Sequence, residues 1–202
     1  MILHERLAIV DPVHGAQPLV SPDTKHILCV NGEIHNHRQL RSGLVQPFEF
    51  ATDSDCEVIL ALYAENPEDP ALFLNQLNGI WAFVLYDETR DRYLVARDHM
   101  GIVPLYIGWT VDGSVWIASE LKALTTECVR FEEFPPGCFY FSTQREQEQE
   151  RRQRWYSPPW HVPDFIPHTS VDLSELRCQF ESAVVRQLMC DVPYGVLLSG
   201  GE

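Results

Sequence analysis

The spacing of apolar and polar residues predicts strands and helices mixed along the first half of the chain. Apolar runs at residues 3–10 and 26–33 are typical of strands, and the second is apolar enough to be buried on both faces. Helical spacing follows at residues 37–42, 55–64 and 71–77. Asp53 or Ser54, just before the second of these helices, is the residue type that caps a helix N-terminus.

The next part of the chain has the pattern of antiparallel hairpins. Strands are predicted at residues 80–86 and 93–97, around a polar turn, and at 105–110 and 114–118. The second pair flanks Asp112-Gly113, a strong hairpin signal. A further strand, residues 138–141, follows a proline-rich turn. Hairpins combined with a few helices predict an α+β layered sandwich.

The last third of the sequence changes character. Residues 144–154 form a polar, low-complexity run, predicted to be a solvated loop or a hairpin tip. Prolines between 158 and 167 predict an extended linker, which Trp155 and Trp160 would anchor to a surface. We therefore divide the chain into a first domain at residues 1–154, a linker at 155–170 and the start of a second domain at 171–202.

Residues 171–189 carry apolar side chains three and four positions apart, which predicts an amphipathic helix packed on a core. Thr169 or Ser170 is placed to cap it. Residues 194–198 are predicted to be a buried strand. The sequence Ser199-Gly200-Gly201 then follows, and a strand leading into such a turn is how a phosphate-binding loop begins.

Composition and charge narrow the possible functions. The 202 residues are 45% hydrophobic and carry a net charge of −14, which argues against nucleic acid or an anionic membrane as partner. No run of 18 apolar residues is present, and residues 1–6 do not resemble a signal peptide, so a cytoplasmic protein is predicted. The six cysteines lack zinc-type spacing and are expected to be reduced. No metal site is expected, because His35 and His37 are spaced as on a solvated turn.

The sequence Asn31-Gly32 interrupts the apolar run that begins at residue 26. One interpretation is an ordinary tight turn at the end of a strand. The other is a pair of neutral donors, one from the asparagine amide and one from the glycine N–H, that converge on one point as in an oxyanion hole. The two residues alone leave both interpretations open.

Seven short segments, in order, give the chain a specific resemblance. They are Arg6-Leu-Ala-Ile-Val-Asp11, Gly15-Ala-Gln-Pro18, Asn31-Gly-Glu-Ile34, Ser54-Asp-Cys-Glu57, Arg97-Asp-His-Met-Gly-Ile-Val-Pro-Leu-Tyr106, Ser119-Glu-Leu-Lys122 and Leu197-Leu-Ser-Gly-Gly201. Together they resemble glutamine-dependent asparagine synthetase of the bacterial B type. The resemblance implies the four-layer αββα sandwich of N-terminal-nucleophile hydrolases, incomplete at its N-terminus. After a linker, it implies the first helix and strand of an α/β ATP-pyrophosphatase domain.

The same resemblance implies a glutamine-binding site. Arg6 corresponds to the arginine that pairs with the α-carboxylate, and a guanidinium fork suits that group. Asn31 and Gly32 correspond to the oxyanion donors, and Glu33 and Asp55 to the acids that receive the α-ammonium group. Further residues implied around the pocket are Leu7, Ala8, Ile9 and Val10. Without the resemblance, Arg6 would be a surface arginine and Asp55 a helix N-terminal acid.

For the second domain, the resemblance implies a partial ATP-binding loop at Leu197, Ser199, Gly200 and Gly201. The family uses ATP and Mg²⁺, acts on glutamine and aspartate, and can form a homodimer. This chain is not expected to hydrolyse glutamine, because the family's N-terminal cysteine nucleophile would precede residue 1. It is not expected to bind ATP, because it has the start of the loop but not the rest of a nucleotide-binding domain. A non-catalytic pseudo-amidotransferase and an amidotransferase with another acceptor are the alternatives.

Overall fold

The computed structural model describes residues 1–142, 152–166, 168–198 and 200, and two antiparallel sheets dominate it. One sheet has the strand order β1-β2-β3-β4-β8-β9 and the other the order β6-β5-β7. The strands are β1 (Leu19–Val20), β2 (His26–Ile34), β3 (Gly79–Asp87), β4 (Arg92–Arg97), β5 (Tyr106–Trp109), β6 (Val115–Ala118), β7 (Arg130–Glu133), β8 (Cys138–Phe141) and β9 (Gln153–Arg154). The helices are α1 (His37–Ser42), α2 (Val58–Glu65), α3 (Pro70–Leu74) and α4 (Leu173–Arg186).

The larger sheet separates two apolar cores because successive side chains of a strand point to opposite faces. On one face, Trp81 and Phe83 of β3 pack in a core with side chains of α2 and α3. On the other face, Ala82 lies in a second core with Val95 of β4 and Ile107 of β5. The described residues thus form a helical layer and two stacked sheets, and the predicted α+β class with antiparallel sheets is confirmed.

Trp155 extends the first core beyond the predicted start of the linker. Its side chain is buried and stacks on Trp81, with ring centroids 5.6 Å apart and planes 20° apart. Its indole N–H also donates to the carbonyl oxygen of Arg97 at 3.2 Å. Trp155 therefore anchors the start of the predicted linker in the first core, whereas Trp160 is exposed. The division into domains otherwise stays a prediction, and residues 144–151 of the polar run lie outside the described residues.

Residues 3–10 are not a strand, contrary to prediction. From Met1 to Ala8 the side chains alternate between exposed and half-buried, as in a strand, but the backbone joins neither sheet. Burial on both faces is also wrong for β2, because Asn31 is exposed and Cys29 only half-buried. Side-chain periodicity reports which way residues point, and sheet membership depends on a backbone partner.

Smaller differences concern helix starts and one strand. Ser54 makes no capping hydrogen bond through its side chain, and a 3₁₀ turn, Asp55–Glu57, precedes α2. The strand β7 was not predicted, since all four of its residues are exposed and lack an apolar alternation. Among the described helices, none combines the length and apolar character that a bilayer-spanning segment needs.

The helix α4 forms as predicted but does not pack on a core. Leu173 and Phe180 of its apolar stripe are 74% and 69% exposed. Its cap is Asp172, which accepts hydrogen bonds from the N–H groups of Ser174 and Glu175, and not Thr169 or Ser170. Residues 194–198 are exposed and form no strand, so the predicted buried strand is also wrong.

Candidate active site

A cavity of about 210 Å³ opens where β2 runs between the N-terminal segment and the start of α2. Arg6, Asn31, Gly32, Glu33 and Asp55 all line it. Of the other residues predicted around the pocket, Leu7, Ile9 and Val10 are on the wall and Ala8 is not. The volume is below the roughly 300–1,000 Å³ of pockets for drug-sized ligands, which suits a small molecule.

Gly32 lies inside β2, which continues to Ile34, so the predicted tight turn at Asn31-Gly32 is wrong. Its φ of 137° is unfavourable for other residues. A β-carbon at this position would lie 2.0 Å from the carbonyl oxygen of Ile80 on β3. The glycine therefore allows a close approach of two strands rather than a reversal of the chain.

Asn31 presents a free amide to the cavity. The residue is exposed, and its side chain makes no hydrogen bond to any described residue. Its backbone pairs with Ala82 of β3, which fixes the residue beside Gly32. The side-chain amide of Asn31 is therefore available as a donor on the pocket wall.

The acids Glu33 and Asp55 make one part of the cavity negative. Asp55 is buried and accepts a hydrogen bond from the N–H of Ile34 at 2.7 Å. Burial, together with the charge of Asp55, raises the pKa of Glu33 above its usual value. The nearest basic group to Glu33 is His35, 3.8 Å away, whose pKa is lowered by burial. Two carboxyl groups without a fixed cation among the described residues suit an ammonium group.

Arg6 is held by backbone carbonyls and not by an acid. Its Nη2 donates to the carbonyl oxygens of Val10 and Asp11, both at 2.8 Å, and Nη1 donates to that of Pro12 at 3.3 Å. Among the described residues it forms no ion pair with Glu33 or Asp55, so a structural ion pair does not fill the cavity. Three carbonyls on one short loop orient the guanidinium, and the Nε hydrogen and one Nη1 hydrogen are left for a ligand.

The loop before Asp55 is fixed by two side chains. Arg41 donates through Nη2 to the carbonyl oxygens of Thr52 and Ser54, at 3.0 Å and 2.7 Å. Glu57 accepts from the N–H groups of Ala51 and Thr52, both at 2.8 Å. A buried acid at the start of α2 thus holds the segment that delivers Asp55, which explains a polar residue in an apolar helix start.

Sequence reasoning missed Gln17 and Cys56 on the wall of the cavity. The Gln17 amide donates to the carbonyl oxygen of Val30 and accepts from its N–H, both at 2.7 Å. Cys56 is buried, its Sγ lies 3.5 Å from the carbonyl oxygen of Gly32, and burial raises its pKa well above the usual value. Both residues belong to segments that carry the resemblance, and this membership was the signal in the sequence that could have identified them as pocket residues.

Arg97 and Asp98 brace a loop next to the pocket. Asp98 accepts from the N–H groups of Met100 and Gly101 through Oδ1, at 2.9 Å and 2.7 Å. Arg97 donates through Nε to the carbonyl oxygen of Val103 at 2.8 Å, and Val103 lies on the cavity wall. Their donors and acceptors are used within the fold.

The predicted ATP loop does not form a cradle in the part of the chain that the structure describes. The side chain of Leu197 is fully exposed, and a β-carbon at Gly200 would meet no atom within 4 Å. Ser199 and Gly201 lie outside the described residues. The described residues also contain no cluster of three or more potential metal ligands.

Comparison with known proteins identifies the class of the fold and site. Residues 1–151 match the glutamine amidotransferase domain family, and the chain belongs to this family. The chain is 52% identical over 200 residues to the nodule asparagine synthetase [glutamine-hydrolyzing] of Pisum sativum. It is also 52% identical over 201 residues to asparagine synthetase [glutamine-hydrolyzing] 2 of Arabidopsis thaliana. In both cases 99% of this chain is covered, and the chain spans about a third of the length of the curated relatives it matches.

Solved structures give the same class. A structure described as the allosteric regulatory enzyme of purine biosynthesis has a TM-score of 0.63 and 28% identity, over 77% of this chain and 35% of that chain. The glutamine phosphoribosylpyrophosphate amidotransferase from B. subtilis has a TM-score of 0.55, also at 28% identity, over 70% of this chain and 32% of that chain. The second of these proteins is described as an amidotransferase, and the similarity of both structures agrees with the N-terminal-nucleophile hydrolase fold that the sequence resemblance implied.

Proposed function

We propose that this chain carries the glutamine-binding site of the amidotransferase domain of a glutamine-hydrolysing asparagine synthetase. The observation that carries the proposal is the single cavity that collects one arginine, two acids and two neutral donors. An α-carboxylate, an α-ammonium and a side-chain amide are the three groups of free glutamine, and each has a complementary partner there.

In the proposed complex, Arg6 donates to the α-carboxylate through the N–H groups that the loop carbonyls leave free. Glu33 and Asp55 receive the α-ammonium group. Asn31 and Gly32 face the side-chain carbonyl, where negative charge develops when a nucleophile attacks. Losing one such donor typically weakens transition-state binding by about 3 kcal/mol.

The proposal assigns binding and charge stabilisation to the described residues and no nucleophile. Glutamine hydrolysis in this class needs a thiolate. Cys56, on the cavity wall, is a poor candidate because burial raises its pKa and keeps it as a thiol. Binding of glutamine without hydrolysis by this chain, as in a pseudo-amidotransferase, is therefore the second candidate function.

For the whole enzyme, we propose conversion of glutamine, aspartate and ATP to asparagine, glutamate, AMP and pyrophosphate, with Mg²⁺, in a homodimer. The names of relatives at about 50% identity support the glutamine-dependent synthesis of asparagine. Aspartate, ATP, Mg²⁺ and the homodimer are what the sequence resemblance implies. The described residues near Gly200 do not fit a nucleotide, so no step is derived through ATP. Six free thiols fit a reducing compartment, so we propose the cytoplasm. An acceptor other than aspartate is less well supported, since the two solved structures compared above are only 28% identical to this chain.

Isothermal titration of the 202-residue chain with L-glutamine tests the binding proposal. We expect L-glutamine to bind. L-glutamine α-amide should bind more weakly because it lacks the α-carboxylate that Arg6 would bind. D-glutamine should bind more weakly because its inverted configuration cannot place the α-carboxylate, the α-ammonium group and the side chain on their three partners at once. Arg6→Gln is expected to weaken L-glutamine binding by roughly tenfold or more, the size of one charge-assisted hydrogen bond.

The matched control is Arg177→Gln, because Arg177 is exposed on α4 and pairs only with Glu181 in the described structure. It should leave the affinity unchanged. Equal affinity for the two glutamine enantiomers, or equal losses in the two arginine variants, would contradict the proposal.

A further inference from the structure

A loop at residues 9–15, here called the Asp11 loop, links Arg6 to a distant part of the sequence. All three carbonyls that hold the Arg6 guanidinium lie on this loop, those of Val10 and Asp11 at 2.8 Å and that of Pro12 at 3.3 Å. A β-carbon at Gly15 would lie 2.5 Å from the Arg6 Nη2, so the loop closes tightly around that group. The position of the arginine therefore depends on the shape of this loop.

Asp11 determines that shape. Its φ of 47° is in the left-handed region, which a residue other than glycine occupies only when its surroundings hold it there. Its Oδ1 accepts from the N–H of His14, and its carbonyl oxygen accepts from the N–H of Gly15, at 2.9 Å and 3.0 Å. Its Oδ2 accepts from the N–H of Asp53 at 2.9 Å, which connects the loop to the segment that delivers Asp55.

Asp191 supplies the remaining contact, from the segment that follows α4. Its N–H donates to the carbonyl oxygen of Ile9, and its Oδ2 accepts from the N–H of Asp11, both at 2.9 Å. This two-way bridge joins positions 180 residues apart and fixes the backbone on both sides of Val10. Asp191 belongs to the segment that we assign to the second domain, whereas the loop that it holds belongs to the first.

We infer that Asp191 is a positioning residue for the glutamine pocket, acting through the Asp11 loop on Arg6. Among the described residues, Asp191 makes its hydrogen bonds to the backbone of Ile9 and Asp11 and makes none to Arg6, Asn31, Gly32, Glu33 or Asp55. As a consequence, the segment after α4 would affect the affinity of the pocket for an α-carboxylate. This consequence rests on the proposed function.

The test compares Asp191→Ala, Asp191→Asn and the control Asp172→Ala, which removes the α4 cap but no contact to the loop. We expect Asp191→Ala to weaken L-glutamine binding about fivefold, the size of one lost hydrogen bond, and Asp191→Asn to restore it because the amide oxygen still accepts from the Asp11 N–H. Asp172→Ala should have no effect on the affinity.

Two readouts distinguish positioning of Arg6 from a general structural role. The loss in Asp191→Ala should vanish for L-glutamine α-amide, and it should vanish in an Arg6→Gln background, because the effect passes through the arginine. A loss that persists in either case would overturn the inference. So would tighter binding, since the loop carbonyls would then be competing with the ligand for Arg6.

A third readout needs no ligand. In ¹⁵N-edited NMR spectra, Asp191→Ala should shift the Arg6 Nε–H signal and the Asp53 amide signal, and Asp172→Ala should shift neither. Unchanged Arg6 and Asp53 signals would overturn the inference. If the unmodified chain binds no glutamine, the proposed function fails, and this readout still decides whether Asp191 positions Arg6.

Discussion

Two helices of this chain, α2 and α4, differ in both apolar pattern and burial. Six of the eight residues of α2 are buried, whereas α4 carries an apolar stripe on an otherwise polar helix and has no buried residue. In α2, Leu60 is completely buried between the larger sheet and its neighbours. In α4, Leu176 is 58% exposed on a helix that is nevertheless well formed and capped. The comparison teaches that apolar spacing and a cap are sufficient to specify a helix, whereas burial requires a second surface of matching shape.

Truncating one leucine in each helix should produce the largest difference in stability between the variants. Leu60→Ala should lower the free energy of unfolding by about 2–5 kcal/mol, because it removes buried contacts and leaves a cavity. Leu176→Ala should change it by less than about 0.5 kcal/mol, as for other exposed positions. Urea denaturation followed by circular dichroism measures both. Comparable losses would mean that α4 packs on a surface after all.

Two glycines, one in β2 and one after α4, should give a smaller difference in stability when each is replaced by alanine. Gly32→Ala should lower the free energy of unfolding by about 1–3 kcal/mol or more, because its β-carbon would meet the Ile80 carbonyl oxygen at 2.0 Å. A β-carbon at Gly195 would meet no atom within 4 Å, so Gly195→Ala should be neutral. Thermal unfolding checks this expectation, which fails if the two variants melt together.

A pair of glutamates gives the smallest expected effect. Since the folded state raises the pKa of Glu33, the charged form is disfavoured by the fold, and stability falls as pH rises from the usual value of 4.5 through the raised pKa. Glu33→Gln should therefore raise the free energy of unfolding at pH 7 by less than about 1 kcal/mol. The gain should disappear near pH 4, where both side chains are neutral.

The control for that substitution is Glu175→Gln, on the exposed first turn of α4. It should not stabilise the protein, because its carboxylate is favourably placed at a helix N-terminus. Urea midpoints recorded from pH 4 to pH 8 compare the two variants. A stabilisation by Glu33→Gln that does not depend on pH would contradict the role assigned to its charge.

Local patterns in the sequence predicted most of the fold. The helix α1 and the strand β8 have the predicted limits, and the Asp112-Gly113 hairpin forms with Gly113 at a φ of 85°. Two of the failures share a cause, since each depends on a distant partner. Residues 3–10 have the side-chain alternation of a strand but no ladder, and α4 has an apolar stripe but no covering surface.

The structure brings together most of the residues predicted for the candidate site, but not Ala8, and the sequence predicted none of their contacts. The resemblance grouped Arg6, Asn31, Gly32, Glu33 and Asp55, and all five line one cavity. Their roles toward glutamine stay predictions. The hydrogen bonds from Arg6 to backbone carbonyl groups could not be predicted, because every residue has a carbonyl group whatever its side chain.

The paired hydrogen bonds between Gln17 and Val30 have a consequence for association with other molecules. The strand β1 covers β2 at only two positions, Leu28 and Ile27, and would leave the backbone of Val30 unpaired on that side. The Gln17 amide copies a peptide group and occupies both the donor and the acceptor. The Gln17 side chain thus replaces one residue of a neighbouring strand. A β-strand of another molecule would have to displace this side chain before it could pair with β2 at this edge and start aggregation.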